Sequence, residues 1–501
     1  MSDAAAFHIT DHLPALQVVI PLIGATVTAV VRNGRLAWCV TFLVALSMPV
    51  ISALMLQQTL VSGPISYALG GWEPPVGIEF RVDEANGFVL VLVSLMAVLI
   101  TAYAPRSIPN EIRPENQSWY YTMFLLCLCG LQGMVITGDA FNAFVFMEVS
   151  SLATYVLIAL GRDRRALLAA YQYLIIGTVG ATFYVIGVGI LFSMTGSLNL
   201  ADIATRLDGV EQTRPVLAGL AFIVVGLGLK IALFPMHLWL PNAYAFAPTV
   251  ATAFLASTAT KVAVYLLLRF LFSVYGIEIS FSETPAAAMF AILAVMAMIA
   301  ASAVAAFEEN VKRMLAYSSV SQIGYIMLGI ALVSQSGLTG GISHLFNHAV
   351  IKACLFLSIG CVAYATGITR IEHMSGIGKT MPLTMAAFVV AGLGLIGVPG
   401  TAGFISKWYL IQGAAEQGAW WLIAVIVISS VLAVFYIGRI VEVAWFREPG
   451  AAADNPRPPP FEMVAMTWVF ALAVLYFGVD TDLQIGVASQ AATVLIEGYD
   501  R

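Results

Sequence analysis

Runs of about twenty apolar residues follow one another along nearly the whole chain, and each is long enough to cross about 30 Å of hydrocarbon as a helix. Inside a bilayer no water hydrogen-bonds a bare backbone, so only helices or closed β-barrels span it. A spanning barrel needs segments of roughly ten residues that alternate apolar and polar, and the sequence has none. The chain therefore reads as an all-α polytopic membrane protein. Only 10% of its 501 residues are charged, where a soluble domain carries about 25%. With a net charge of −5 and no basic tract, nucleic acid is not an expected partner. The five cysteines (Cys39, Cys127, Cys129, Cys354, Cys361) lie in apolar runs and form no CxxC pair, so no iron–sulfur or structural zinc site is expected.

Fourteen spans are predicted: 15–31, 35–56, 85–104, 117–136, 141–160, 166–194, 215–240, 249–275, 284–307, 312–333, 340–365, 381–413, 419–445 and 461–480. The opening MSDAAAFHITDHLP is polar and acidic rather than basic, so span 1 is expected to be retained and not cleaved as a signal peptide. Two linkers are long. Residues 57–84, QQTLVSGPISYALGGWEPPVGIEFRVDE, suggest an extracytoplasmic hairpin-like loop, and REPGAAADNPRPPP (447–460) an irregular connector. The odd-numbered connections carry thirteen lysines and arginines, the even-numbered ones only Arg81, Arg206 and Arg214. By the positive-inside rule the odd connections are expected in the cytoplasm and both termini outside.

The exceptions to this pattern are charges deep in the spans. Glu148 lies in span 5, Lys230 in span 7, Lys261 in span 8, His344, His348 and Lys352 in span 11, and Lys407 in span 12. One Lys or carboxylate at a bilayer centre costs about 2.5–3.5 kcal/mol, so the set left alone would cost on the order of 15 kcal/mol, more than a typical folding stability. These groups must face one another or water. Glu148 is the only acid deep in a predicted span, and Lys230 is its natural counter-ion. A purely structural ion pair is one reading. The other starts from desolvation, which favours a neutral amine, and a nearby carboxylate, which favours the ammonium. Making and breaking one Glu–Lys contact then switches the lysine between holding and releasing a proton.

HLFNHAVIKACLF places His344, His348 and Lys352 at i, i+4 and i+8 on one helix face. Two histidines one turn apart can ligate zinc, but no third ligand is evident and the lysine repels a cation. A pair of hydrogen-bonded core histidines is a second reading, and a histidine–lysine relay, which uses the titration of imidazole near neutrality, is the favoured one. Lys261 has Ser257, Thr258 and Thr260 beside it, and Arg269, two turns on, is expected to snorkel to the interface. His237 is open between packing and path. Lys407 has no acid nearby in sequence; it either snorkels or ends the relay, and the relay is the favoured reading. Pro235 and its flanking glycines break span 7 beside Lys230, freeing carbonyls that admit water. GLGLKIALFP (226–235) is echoed by GLGLIGVPG (392–400), five spans later. Interrupted helices at corresponding places in two halves point to a midplane ion site, and an odd offset turns one copy upside down relative to the other.

Four stretches, GLGLKIALFPMHLWLPNAYAFAPTVATAFLASTATKVAVYLLLR, NVKRMLAYSSVSQIGYI, HLFNHAVIKACLFL and GVPGTAGFISKWYL, resemble the antiporter-like subunits shared by respiratory complex I, membrane-bound hydrogenases and Mrp-type cation/proton antiporters. The resemblance covers about 117–445. It implies two inverted five-helix repeats, spans 4–8 and 9–13, with spans 7 and 12 broken. It divides the chain into 1–116 (spans 1–3 and the 57–84 loop), 117–275, 284–445 and 446–501 (connector and span 14). It also implies that Glu148 and Lys230 pair, that Lys261 and the His344, His348, Lys352 cluster relay protons, and that Lys407 is the exit. No cofactor or metal is implied in this subunit. Partners would be other membrane subunits, the transported ions H+ and Na+, and the location the cell inner membrane. The Gly-Gly-Trp-x-x-Pro stretch at 70–75 is similar to that of Mrp D-type subunits, which points to a cation/proton antiporter subunit. The alternative is a proton-pumping subunit of an NADH:quinone oxidoreductase or hydrogenase. Whether the assembly is an enzyme, which cation it moves and with what stoichiometry are not legible in the sequence.

Overall fold

A computed structural model describes residues 9–450 and 457–499. Among them, thirteen helices are long and apolar enough to cross a bilayer. The fourteenth crossing is the predicted span 12, which is split into Pro382–Ile396 and Ala402–Glu416. Each half is too short to cross alone, so the two together make one crossing. The all-α polytopic architecture expected from the apolar runs is present.

Span 7 is likewise interrupted. Its first half, Thr213–Ile231, ends where Ala232 turns left-handed at φ 61°, and the chain resumes helix at Trp239–Phe246. An alanine pays a steric penalty at this φ, so tertiary contacts hold the turn. Trp239 Nε1 donates to the Leu229 carbonyl at 3.0 Å, adding to the Ala232 amide that this carbonyl accepts at the turn. In span 12 the equivalent turn is made by Gly397 and Gly400, at φ 89° and 85°, where the missing Cβ removes the penalty. The two breaks stand five crossings apart, so the halves run in opposite senses through the membrane.

Span 8 departs from the continuous helix predicted. It divides at Thr258 (φ −126°, ψ −57°) into Thr249–Ser257 and Ala259–Leu268 and ends in a wider turn, Arg269–Val274. Ser257 and Thr258 hydroxyls bond back to the Ala253 and Phe254 carbonyls, a local competition that bends helices. This span is also the most enclosed, 94% of its apolar window being buried, with span 10 at 89%. Spans 2, 13 and 14 lie at the periphery. Lys261, His344, His348 and Lys352 thus sit on enclosed helices, whereas spans 5 and 7, which carry Glu148 and Lys230, are half-buried.

Residues 57–84 contain a two-stranded antiparallel hairpin, β1 (Ile65–Ala68) and β2 (Glu79–Val82), in register Ile65 with Val82. Buried Glu79 ties it down, accepting from Ser66 Oγ (2.6 Å) and Asn199 Nδ2 (2.7 Å). Part of the 447–460 connector, 451–456, lies outside the described residues. Beyond span 14 (Phe461–Val479) the chain forms a further helix, Asp482–Glu497, that no apolar run marks. It packs against spans 3 and 11, with Gln335 of span 11 donating to the Ser489 carbonyl at 2.9 Å.

A line of buried lysines and histidines

Glu148 and Lys230 meet, Oε1 and Nζ lying 3.6 Å apart. Lys230 is the last-turn residue of the first half of span 7, which brings its amine to span 5 beside the break. A tighter bond goes to Ser151 Oγ at 2.6 Å, one turn from Glu148 on span 5. Lys230 is buried, whereas the Glu148 side chain keeps 25% of its surface exposed. The lysine faces a cavity of about 20 Å³ lined by Ser150, Ser151, Thr154 and Tyr173. That is room for about one water molecule among hydroxyls able to hold it.

Lys261 is buried one turn beyond the kink of span 8, and its ammonium donates to the Ala256 carbonyl and to Thr260 Oγ1 (3.4 Å). The kink positions that carbonyl: the cation occupies the negative, C-terminal end of a half-helix. Lys352, fully buried, donates to the Leu315 carbonyl (2.7 Å) and Ser318 Oγ (2.6 Å) on span 10. Lys407 donates to three acceptors, the Leu395 and Ile396 carbonyls at the broken end of span 12 (3.0 and 2.8 Å) and Ser430 Oγ (3.0 Å). It also lies 4.5 Å over the Tyr325 ring, a cation–π contact.

His344 and His348 stack at 6.2 Å, their rings tilted by 7°. His344 uses both nitrogens, Nδ1 with Ser406 Oγ at 2.9 Å and Nε2 with Gln322 Oε1 at 3.0 Å. With both nitrogens committed it is a poor metal ligand. Neither nitrogen of His348 has a protein partner, although the ring is fully buried. A buried imidazole with two open hydrogen-bonding positions is poised to exchange a proton with water or a neighbour. Lys261, Lys352 and His344 all lie within electrostatic reach of His348, and Lys407 within reach of His344. Of the seven residues singled out in the sequence, Lys261, Lys352, His348, His344 and Lys407 therefore form one connected group, and Glu148 and Lys230 form a pair of their own. His237 stands apart from both, buried and packed on Phe234 (ring centroids 5.1 Å apart).

No local sequence pattern marks the hydroxyl and amide partners, Ser151, Ser318, Gln322, Ser406 and Ser430. Their signal was weak: Ser318 and Gln322 fall in the NVKRMLAYSSVSQIGYI stretch, but small polar residues are common in membrane helices. Arg269 does not snorkel. It is buried and bonds Asp83 at 2.7 Å, also buried, under the rings of Tyr265 and Tyr499. Asp83 heads span 3, capping the backbone of Ala85 and Asn86, so the pair joins the start of span 3 to the end of span 8. Nothing in local sequence links residues 186 positions apart.

A bundle of membrane helices with two counter-running broken spans and titratable side chains buried in its interior defines a polytopic all-α membrane protein that keeps ionisable groups away from lipid. The comparisons with known proteins agree. The family profile described as NADH:quinone oxidoreductase/Mrp antiporter, TM matches residues 137–433, and this chain belongs to that family. It is 42% identical over 484 residues to NADH-quinone oxidoreductase subunit N of Desulforudis audaxviator (94% of this chain, 96% of the relative). It is 27% identical over 490 residues to the D-type subunit of the Na(+)/H(+) antiporter of Bacillus subtilis (97% of each). Among solved structures, a subunit of the archaeal membrane-bound sulfane sulfur reductase superposes with TM-score 0.89 at 29% identity, covering 97% of this chain and 98% of that one. A subunit of the Mrp complex of Dietzia sp. does so with TM-score 0.88 at 27% identity, covering 99% and 98%.

Proposed function

We propose that this chain moves protons within a multi-subunit monovalent cation (Na+)/H+ antiporter of the Mrp type, along Glu148, Lys230, Lys261, Lys352, His348, His344 and Lys407. The observation that carries this reading is the ratio of partners: four lysines and two histidines share one carboxylate, and hydroxyls and carbonyls serve the rest. A row of fixed ion pairs would have matched charges. Serine hydroxyls and carbonyls accept from an ammonium and let it go, which is what a chain of transfers requires. Exchange of a sodium ion would lie with partner subunits, and the lysine-rich connections would face the cytoplasm.

Alignment over 97% of this chain with the D-type subunit of a Na(+)/H(+) antiporter, and the 0.88 superposition on an Mrp complex subunit, support the antiporter reading. A specific observation favours a second one: the 42% identical relative is named as an NADH-quinone oxidoreductase subunit, which would make the same row a redox-driven pump. In proteoliposomes holding the whole assembly, Lys230→Ala or Glu148→Ala is expected to abolish ΔpH-linked transport without loss of assembly. Normal transport in both would remove the relay reading. Transport driven by a sodium gradient in the absence of any reductant favours the antiporter, and transport only with NADH or another reductant favours the pump.

A further inference from the structure

The helix-10 stretch NVKRMLAYSS carries a lysine that the relay above does not use. Lys312, at the very start of span 10, is one of the thirteen lysines and arginines of the odd connections, yet it is only 6% exposed. It lines a cleft of about 230 Å³, together with Glu111, Arg162, Asp163, Arg165 and Thr369. These residues sit at connections 3, 5, 9 and 11, so the cleft opens on the lysine- and arginine-rich face. Three of its charged groups are occupied. Arg165 grips Asp163 at 2.6 and 2.9 Å and holds its carboxyl below the usual carboxylate range. The Arg165 guanidinium also lies 4.5 Å over the Phe246 ring, and Arg162 donates to the Pro109 carbonyl at 3.4 Å. Glu111 and Lys312 line the same space within electrostatic reach of one another, and their hydrogen bonds go to the bundle and not to the other charged groups of the cleft.

Both connect inward. Half-buried Glu111 accepts from the Thr249 amide (2.7 Å) and Ser107 Oγ (2.5 Å), and Lys312 reaches Thr249 Oγ1 at 3.4 Å. Along span 10, the Leu315 carbonyl that holds Lys352 is three residues beyond Lys312, about 4.5 Å along the helix axis. Ser318 and Gln322 continue the same stripe, holding Lys352 and His344. One helix face thus runs from the cleft to the centre of the relay.

We propose that this cleft loads protons onto the relay, with Glu111 as the surface acceptor and Lys312 as the buried group that hands them to Lys352. Resting on the proton-relay reading, the steps are these. A solvent hydronium ion protonates the Glu111 carboxylate, losing one O–H bond as the carboxyl gains one. When Lys352 has given its proton to His348, the Lys312 ammonium releases one proton through water to the Lys352 amine. Glu111 then reprotonates Lys312. Each step breaks one N–H or O–H bond and forms one.

Two substitutions keep the local structure and remove only the titration. In Glu111→Gln the amide oxygen still accepts from Thr249, and Lys312→Arg keeps the charge on a group that does not deprotonate. In proteoliposomes holding the whole assembly, with Lys230→Ala alongside, both variants are expected to slow proton uptake by about 10²-fold, and Glu111→Asp to recover most of the rate. Near wild-type rates in Glu111→Gln and Lys312→Arg, with Lys230→Ala inactive, overturn the loading cleft alone. An active Lys230→Ala overturns the relay reading beneath it. If Lys312→Arg fails to assemble, Glu111→Gln decides: a rate within twofold of wild type rejects the proposal, and loss restored by Glu111→Asp sustains it.

Discussion

An ammonium buried without an acid needs acceptors at each of its N–H bonds, and three of the buried lysines find them on backbone carbonyls. Lys261 takes one beside a kink and Lys407 takes two at a broken helix end. Removing the cation strands those carbonyls in a dry interior, at about 1–3 kcal/mol for each unpaired group. Lys407→Met is therefore expected to lower the melting temperature of the detergent-purified protein. Lys407→Arg should melt close to wild type and yet fail to transport, because guanidinium keeps its proton. The Asp83–Arg269 pair makes the opposite case, a buried contact with matched charges and a structural role. Arg269→Met leaves Asp83 buried and uncompensated, a change that costs about 3–5 kcal/mol. A melting curve lowered to that extent, with residual transport in the folded fraction, is the expected result; an unshifted curve contradicts the clamp.

Elements gain their function here from being interrupted. The two halves of span 12 fold back closely enough that a Cβ on Gly403 would stand 1.8 Å from the Gly394 carbonyl oxygen, far inside van der Waals contact. Gly403→Ala must push the halves apart, and such overpacking costs about 1–3 kcal/mol. The displacement moves the Leu395 and Ile396 carbonyls away from Lys407. The expected outcome is a lowered melting temperature together with reduced transport. Retained transport and stability in Gly403→Ala would show that the turn has slack. Span 8 works by a different device: serine and threonine back-bonding opens its kink without a proline.

At the scale of the molecule, the charged groups run from the half-buried spans 5 and 7 to the enclosed spans 8 and 11, and the hairpin, the Asp83–Arg269 pair and the last helix lie together on one face. By the positive-inside rule, the lysine asymmetry of the connections makes an outward orientation of this face the expected one. Val76, in the hairpin turn, is 85% exposed, and Arg164 begins span 6 on the other side. In intact cells, with Cys39 replaced by serine, an impermeant thiol reagent is expected to label Val76→Cys and to miss Arg164→Cys. The reverse pattern would turn the protein over and place the loading cleft outside.

The sequence by itself determined the number of crossings, the interruptions at Pro235 and at Gly397–Gly400, and the identity of the ionisable groups, because the cost of charge in hydrocarbon depends only on which residue sits in which apolar run. Periodicity also placed His344, His348 and Lys352 on one face. Tertiary structure alone decided what each group touches. Ser151, Ser318, Gln322, Ser406 and Ser430 became partners through helices packed from distant parts of the chain, and Arg269 met Asp83 rather than the interface. The helix at 482–497 was missed because Gln484, Ser489, Gln490 and Thr493 make it too short and too polar to resemble a span; it is stable where it packs on spans 3 and 11. Lys312 looked like a connection charge for a related reason. Burial of a side chain near a helix end is set by the neighbouring helices, and no local pattern records where they stand.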